Sequence, residues 1–161
     1  MTEILFVTHA DVRIDPAVEV TECRLTERGA DRHARHARAL DTGHDAIWCS
    51  SERKAIDAAE IYADALGLPI QQNAALGEND RSATGFMPKD QFEAAADAFF
   101  ARPDESFRGW ETARAAQARI VEAVERVSAT GAKCPLIVAH GGVGALLLCH
   151  VLGEAIDRVR D

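Results

Sequence analysis

The run Ile4-Leu5-Phe6-Val7-Thr8-His9-Ala10 decides how this chain is read. It is short, apolar, β-branched and aromatic, and it predicts a buried strand over residues 3–8. The strand hands off to a histidine. Near the far end the pattern recurs as Leu136-Ile137-Val138-Ala139-His140-Gly141-Gly142. In an open parallel sheet, ligands bind in the crevice outside the carboxyl ends of the strands. The residues between the two runs are therefore read as what brings His9 and His140 together.

Moving outward, residues 10–25 read as an irregular loop, with Asp15-Pro16 as a turn signal. Thr26 is a natural N-cap and Glu27 suits the first turn of a helix running to about Leu40, with Asp41-Thr42-Gly43 as its stop. Residues 45–49 form a second short strand. Ser50-Ser51 ends it and caps a helix from about Glu52 to Leu66, with an apolar stripe of Ile56, Ala59, Ile61, Ala63 and Leu66 and with Gly67 as terminator. Leu68-Pro69-Ile70 begins a third strand, at an edge because proline cannot donate to a ladder.

The stretch 73–90 has little periodicity and holds the glycine-flanked polar loop 77–85. A loop of that length is usually functional or disordered. Pro88 opens a helix carrying Phe92, Ala95, Ala96, Phe99 and Phe100 on one face, and Arg102-Pro103 breaks it. Trp110, Ala113, Gln117, Ile120, Val121, Val124 and Val127 mark another helix, ended by Thr130-Gly131. The last strand, the Gly141-Gly142 turn and an apolar helix to about Leu152 follow. Strand–helix alternation predicts an α/β protein: a three-layer α/β/α sandwich with a mainly parallel sheet, one domain over 1–161.

Composition narrows the function. The formal net charge of -8 argues against a nucleic-acid partner, which needs a basic face. An anionic substrate is still admissible, since a small positive pocket can sit inside an acidic protein. Cys23, Cys49, Cys134 and Cys149 make no Cys-x-x-Cys pair and read as reduced, mostly buried thiols of a cytoplasmic protein. Glu3 and the short apolar run do not make a signal peptide, and no run approaches the roughly 20 apolar residues of a membrane span.

The strand ends carry the chemistry. His140 precedes Gly141-Gly142 and a helix, and a helix start offers free N–H groups and a positive dipole end to an anion. Ser50-Ser51 opens a second helix whose first turn holds Arg53 and Lys54. His33 and His36 lie one helical turn apart. They lack a third ligand and sit among Arg32, Arg35 and Arg38, so a solvated basic face is the expectation, not a metal site. Gly141-Gly142-x-Gly144 fails the spacing of a dinucleotide loop. Phe92, Phe99, Phe100 and Trp110 read as core or lid packing.

Taken in order, these pieces resemble the histidine phosphatase superfamily, the phosphoglycerate-mutase-like proteins. Thr8-His9-Ala10 stands where that family has Arg-His-Gly. Leu25-Thr26-Glu27-Arg28-Gly29 matches its helix start, and Ser50 to Glu60 matches its Ser-Ser, basic, Ala pattern. Leu76-Gly77-Glu78 matches Leu-x-Glu, and Ala139-His140-Gly141-Gly142 matches the final motif. The resemblance implies a phosphoglycerate-mutase-like fold and a phosphomonoester hydrolase working through a phosphohistidine at His9. Glu78 would be general acid and base, and His140 and the backbone at Gly141 would bind phosphoryl oxygens. It implies no metal and no organic cofactor, a small phosphorylated substrate or inorganic phosphate as partner, and a lid or specificity region at about 73–110.

The departures matter. Thr8 replaces the arginine before the nucleophile and supplies a hydrogen bond but no charge. The second family arginine aligns with Lys54, which lacks a guanidinium fork; Arg53 points about 100° away around the helix. Ser50 sits at the strand end, and Arg13 and Arg81 are the nearest cations by motif to restore the lost charge. The rival expectations are a weak or inactive phosphate-binding module of the same fold and a mutase-type phosphotransferase. The chain ends at Asp161, where many family members continue with another strand, so the sheet is expected to be one element short or the chain to be part of something longer. Stacked apolar helices could form a homodimer face, with nothing to select which.

Overall fold

A computed structural model describes residues 2–41 and 43–161. Four strands form one all-parallel sheet: β1 (Leu5–Thr8), β2 (Ala46–Cys49), β3 (Ile70–Gln72) and β4 (Pro135–Ala139), in the order β1-β4-β2-β3. All five residues of β4 are buried, as expected of a central strand covered on both faces. β3, which follows Pro69, is an edge.

Five helices cover the sheet. α1 (Glu27–Ala39) and α2 (Arg53–Leu66) pack on one face, where Ala55, Ala58, Ala59 and Tyr62 meet Ile47, Cys49, Leu136 and Val138. α3 (Lys89–Ala101), α4 (Ala113–Ser128) and α5 (Gly141–Leu152) pack on the other, where Phe99, Ile120, Val143 and Leu146 meet Ile137 and Ala139. β4 alternates its side chains between these two cores, which is why its sequence is apolar throughout. This is the three-layer α/β/α arrangement.

Local signals explain most boundaries. The Thr26 hydroxyl accepts from the Gly29 N–H, and Gly67 ends α2 in the left-handed region at φ 68°. Thr42, part of the expected stop after α1, lies outside the described residues. The α4 reading needs a correction. Trp110 precedes the helix, whose N-cap is Thr112, and the buried stripe is Ala113, Ala116, Ile120, Ala123 and Val127. The small alanines let α4 approach the sheet closely, so the larger Val121 and Val124 sit only at its margin. The loop 10–25 is not wholly irregular either. Val12 bridges Leu25 in antiparallel fashion, and Val20–Glu22 make one 3₁₀ turn.

Candidate active site

Strand register places the two histidines side by side. Thr8 pairs with Ala139, so the next residue on each strand is a histidine, and the His9 N–H still donates to the Ala139 carbonyl at 3.0 Å. The ring centroids are 5.1 Å apart with planes at 70°. That distance is close to the spacing of neighbouring strands, roughly 4.8 Å.

His9 is fixed by its own loop. Its Nδ1 lies 3.0 Å from the Ala10 carbonyl, which can only accept, so Nδ1 carries the proton and Nε2 keeps a free lone pair. Burial lowers the His9 pKa, against the raising effect of the Ala10 bond, and Lys54 lowers it further. The neutral ring is favoured.

Beneath this loop the solvated-face reading of α1 fails. His33 is buried, and its Nε2 accepts the Ala10 N–H at 2.9 Å. Its Nδ1 must then carry the proton and donate to the Tyr62 hydroxyl at 3.0 Å, and that hydroxyl donates to His36 Nδ1 at 2.8 Å. Burial first, then the His9 and His36 charges, push the His33 pKa down to about 4. The missed signal was the i, i+4 series Gly29, His33, Ala37, whose small flanking residues mark the face turned inward. At Gly29 an added Cβ would lie 2.3 Å from the Asp11 carbonyl, so only glycine lets α1 seat against the loop after His9. His33→Leu strands the Ala10 N–H and should cost about 1–3 kcal/mol. His33→Gln, which keeps an acceptor of similar reach, should restore more than half of that. Urea unfolding of both variants measures it, and equal losses would refute the assignment.

His140 is fully buried, and its Nε2 lies 2.8 Å from the Ser50 hydroxyl. Ser50 Oγ also accepts the Glu52 N–H, and the same Nε2 lies 3.5 Å from Glu52 Oε1. The other ring nitrogen, Nδ1, has no partner among the described residues. Burial holds the His140 pKa down at about 3, against the raising effect of Glu52. Ser50 is itself fully buried, so it orients His140 and does not face the cavity.

Lys54 lines the cavity that His9 lines, and its charge is already engaged by protein groups. It is buried, and its ammonium lies 2.6 Å from Glu52 Oε2 and 2.9 Å from the Val20 carbonyl. Glu52, unnoticed in the sequence, accepts the Glu78 N–H on its other oxygen at 2.8 Å. Burial would raise the Glu52 pKa, but His140, Lys54 and these hydrogen bonds outweigh it and hold it low. The pair cancels much of the Lys54 charge where an anion would need it.

Glu78 sits at the start of α5. Its carboxylate accepts the N–H groups of Gly142 and Val143, each at 3.0 Å, and that of Asn79 at 3.0 Å. At Gly142 an added Cβ would lie 2.8 Å from Glu78 Oε1, so a larger residue there would displace the carboxylate. The helix-start amides expected to meet a ligand are thus partly taken. Gly141 N–H is the exception among the first three, with no partner among the described residues. The Glu78 loop is anchored by Arg119, which donates to the carbonyls of Ala75, Gly77 and Glu78 and pairs with Glu111 at 2.8 Å. Nothing in the sequence singled out Arg119. Asn79 was also missed; its side-chain nitrogen is buried without a partner.

Besides a 620 Å³ groove lined by Thr8, His9, His33 and Tyr62, two cavities adjoin this cluster. One, of 630 Å³, is lined by Glu52, Glu78, Asp80, Glu111 and Arg119 among others. The second, of 510 Å³, is lined by His9, Lys54 and Arg81 with apolar side chains. They share Val20, Arg81, Gly85 and Trp110. Arg81 lies at this junction, with its guanidinium 4.9 Å from the Phe92 ring centroid and 5.8 Å from that of Trp110. It makes no ion pair among the described residues. Arg13 does not reach the histidines; it lines a separate cleft with Arg24, Asp57 and Glu60. Thr8 lies toward Gly144 of α5. Among the described residues no group of three or more His, Cys, Asp or Glu side chains is placed to hold a metal, and no helix is long and apolar enough to cross a membrane.

Comparison with known proteins agrees with the fold. None of the curated protein sequences matches the chain. Among solved structures, Bacillus stearothermophilus YhfR is 24% identical with a TM-score of 0.85, covering 99% of this chain and 84% of its own. A mycobacterial glucosyl-3-phosphoglycerate phosphatase is 20% identical with a TM-score of 0.81, covering 97% and 82%. A putative alpha-ribazole-5'-P phosphatase from Escherichia coli is 21% identical with a TM-score of 0.75, covering 96% and 81%. At these identities the likeness speaks for the fold. The family model of the histidine phosphatase superfamily (branch 1) matches residues 3–161, nearly the whole chain, so the protein belongs to that superfamily.

Proposed function

We propose that the protein is a phosphomonoesterase acting through a phosphohistidine at His9. The observation that carries this reading is the His9 tautomer: Nδ1 is held by the Ala10 carbonyl, which leaves Nε2 unprotonated on a ring that lines a cavity and stands beside His140. In the first step Nε2 attacks phosphorus, the ester P–O bond breaks, and a proton from Glu78 goes to the leaving oxygen. In the second, water attacks phosphorus, its proton passes to Glu78, the P–N bond breaks and phosphate leaves. Gly141 N–H, unpaired among the described residues, is suited to an equatorial oxygen, and the His140 ring stands beside His9. Arg81 replaces the charge lost with Thr8, and stabilising developing charge is usually the largest contribution in such transfers. The phosphate and vanadate complexes of the mycobacterial phosphatase support an anion site in this fold.

Glu52 supports the second reading, a phosphate-binding module of low activity, because it neutralises Lys54. The experiment is brief incubation with phosphorus-labelled phenyl phosphate and denaturing quench. The label should remain on the protein in base and be lost in acid. Turnover without such a label would overturn the covalent route. No turnover, with phosphate-dependent melting, would favour the binding module.

A further inference from the structure

The 510 Å³ cavity beside His9 has a wall whose chemistry selects what the phosphate is attached to. Val12 and Ile14 come from the loop after β1, and Phe86, Met87 and Phe92 come from the segment entering α3, with Trp110 between. Ile14 is 68% exposed and Phe86 41% exposed, so each loop presents a large apolar side chain to solvent at the same opening. Three of the polar groups there are already engaged, while Arg81 and Lys89 make no ion pair among the described residues. Trp110 Nε1–H donates to Thr84 at 2.8 Å, an Asp15 oxygen accepts the Ala17 N–H at 2.9 Å, and Lys54 is paired with Glu52. A hydroxyl-rich group placed here would give up water and find few neutral partners, which is costly. The adjoining 630 Å³ cavity carries Glu78, Asp80 and Glu111, which repel a second phosphate or a carboxylate.

Resting on the phosphomonoesterase reading, we infer that the preferred substrates are monoesters of apolar alcohols, alkyl or aryl. The dianionic phosphate lies by His9 and Arg81, and the hydrocarbon lies between Ile14, Phe86 and Phe92. Arg81, stacked on Phe92, then joins the charged and apolar halves of the site.

The test is a series of n-alkyl phosphates from methyl to hexyl, compared with glycerol phosphate. Their leaving groups are similar alkoxides, so differences report binding in the transition state. The expected result is a rise in kcat/KM of roughly three- to fourfold per methylene, with hexyl phosphate well above glycerol phosphate. The slope should flatten in the Ile14→Ser, Phe86→Ser double variant. A flat series, glycerol phosphate equal to hexyl phosphate, or a slope the double variant leaves unchanged would each overturn the inference. If no ester turns over, the hydrolytic reading fails separately. The matching alkylphosphonates then decide: a melting shift that grows with chain length sustains the apolar site, and a length-independent one rejects it.

Discussion

His9→Ala is expected to lower kcat/KM toward an aryl phosphate by about 10⁴-fold or more, as loss of a covalent nucleophile does elsewhere. No neighbour can take over. His140 is the nearest imidazole, but it is fully buried and its Nε2 is committed to Ser50. His33 is buried one layer deeper with both ring nitrogens engaged. The variant should fold, because the His9 N–H bond to Ala139 belongs to the backbone and is kept. It should also bind phosphate, since Arg81 and the helix-start donors are untouched. Steady-state kinetics with matched melting curves measures this. Activity within tenfold of the starting protein would remove His9 from the mechanism.

The second large effect concerns stability. Lys54→Met should cost about 3–5 kcal/mol, because it leaves the Glu52 carboxylate buried and unpaired. Methionine nearly fills the lysine volume, so the loss is electrostatic and not a cavity effect. Glu52 would keep the Glu78 N–H bond, but its second oxygen would face the lost ammonium. Adding Glu52→Gln to Lys54→Met should return part of the loss, since the uncompensated charge is gone. Urea unfolding of the single and double variants decides it. A single-variant loss below 1 kcal/mol would mean that water reaches the pair.

Much of the fold was legible because its signals were local. The two apolar runs ending in histidine, the Thr26 cap, Gly67 and the Pro69 edge all act within a few residues of themselves, and the strand–helix alternation fixed the layers. The meeting of His9 and His140 follows from parallel register once β1 and β4 are neighbours, whereas Glu78 reaches the start of α5 on the loop that Arg119 anchors. What was not legible depends on which residues share a buried space. Glu52 reads as a helix-start acid, yet its burial turns it into the partner of Lys54. His33 reads as one member of a basic run until α1 is rolled so that Gly29 touches Asp11. Arg119 is an ordinary helical arginine in sequence, yet it holds three carbonyls more than forty residues earlier in the chain as well as Glu111. Arg13 and Arg81 are equally basic in sequence, and only the path of their loops separates them.

The Glu78 carboxylate, resting on the Gly142 and Val143 amides, occupies the donors that a phosphate at this helix start would need. An incoming oxyanion reaches those amides only by evicting a group that cannot diffuse away. A carboxylate held that way competes at the high effective concentration of any intramolecular partner. Free phosphate, which brings no hydrocarbon to help the exchange, is the ligand most disadvantaged by it.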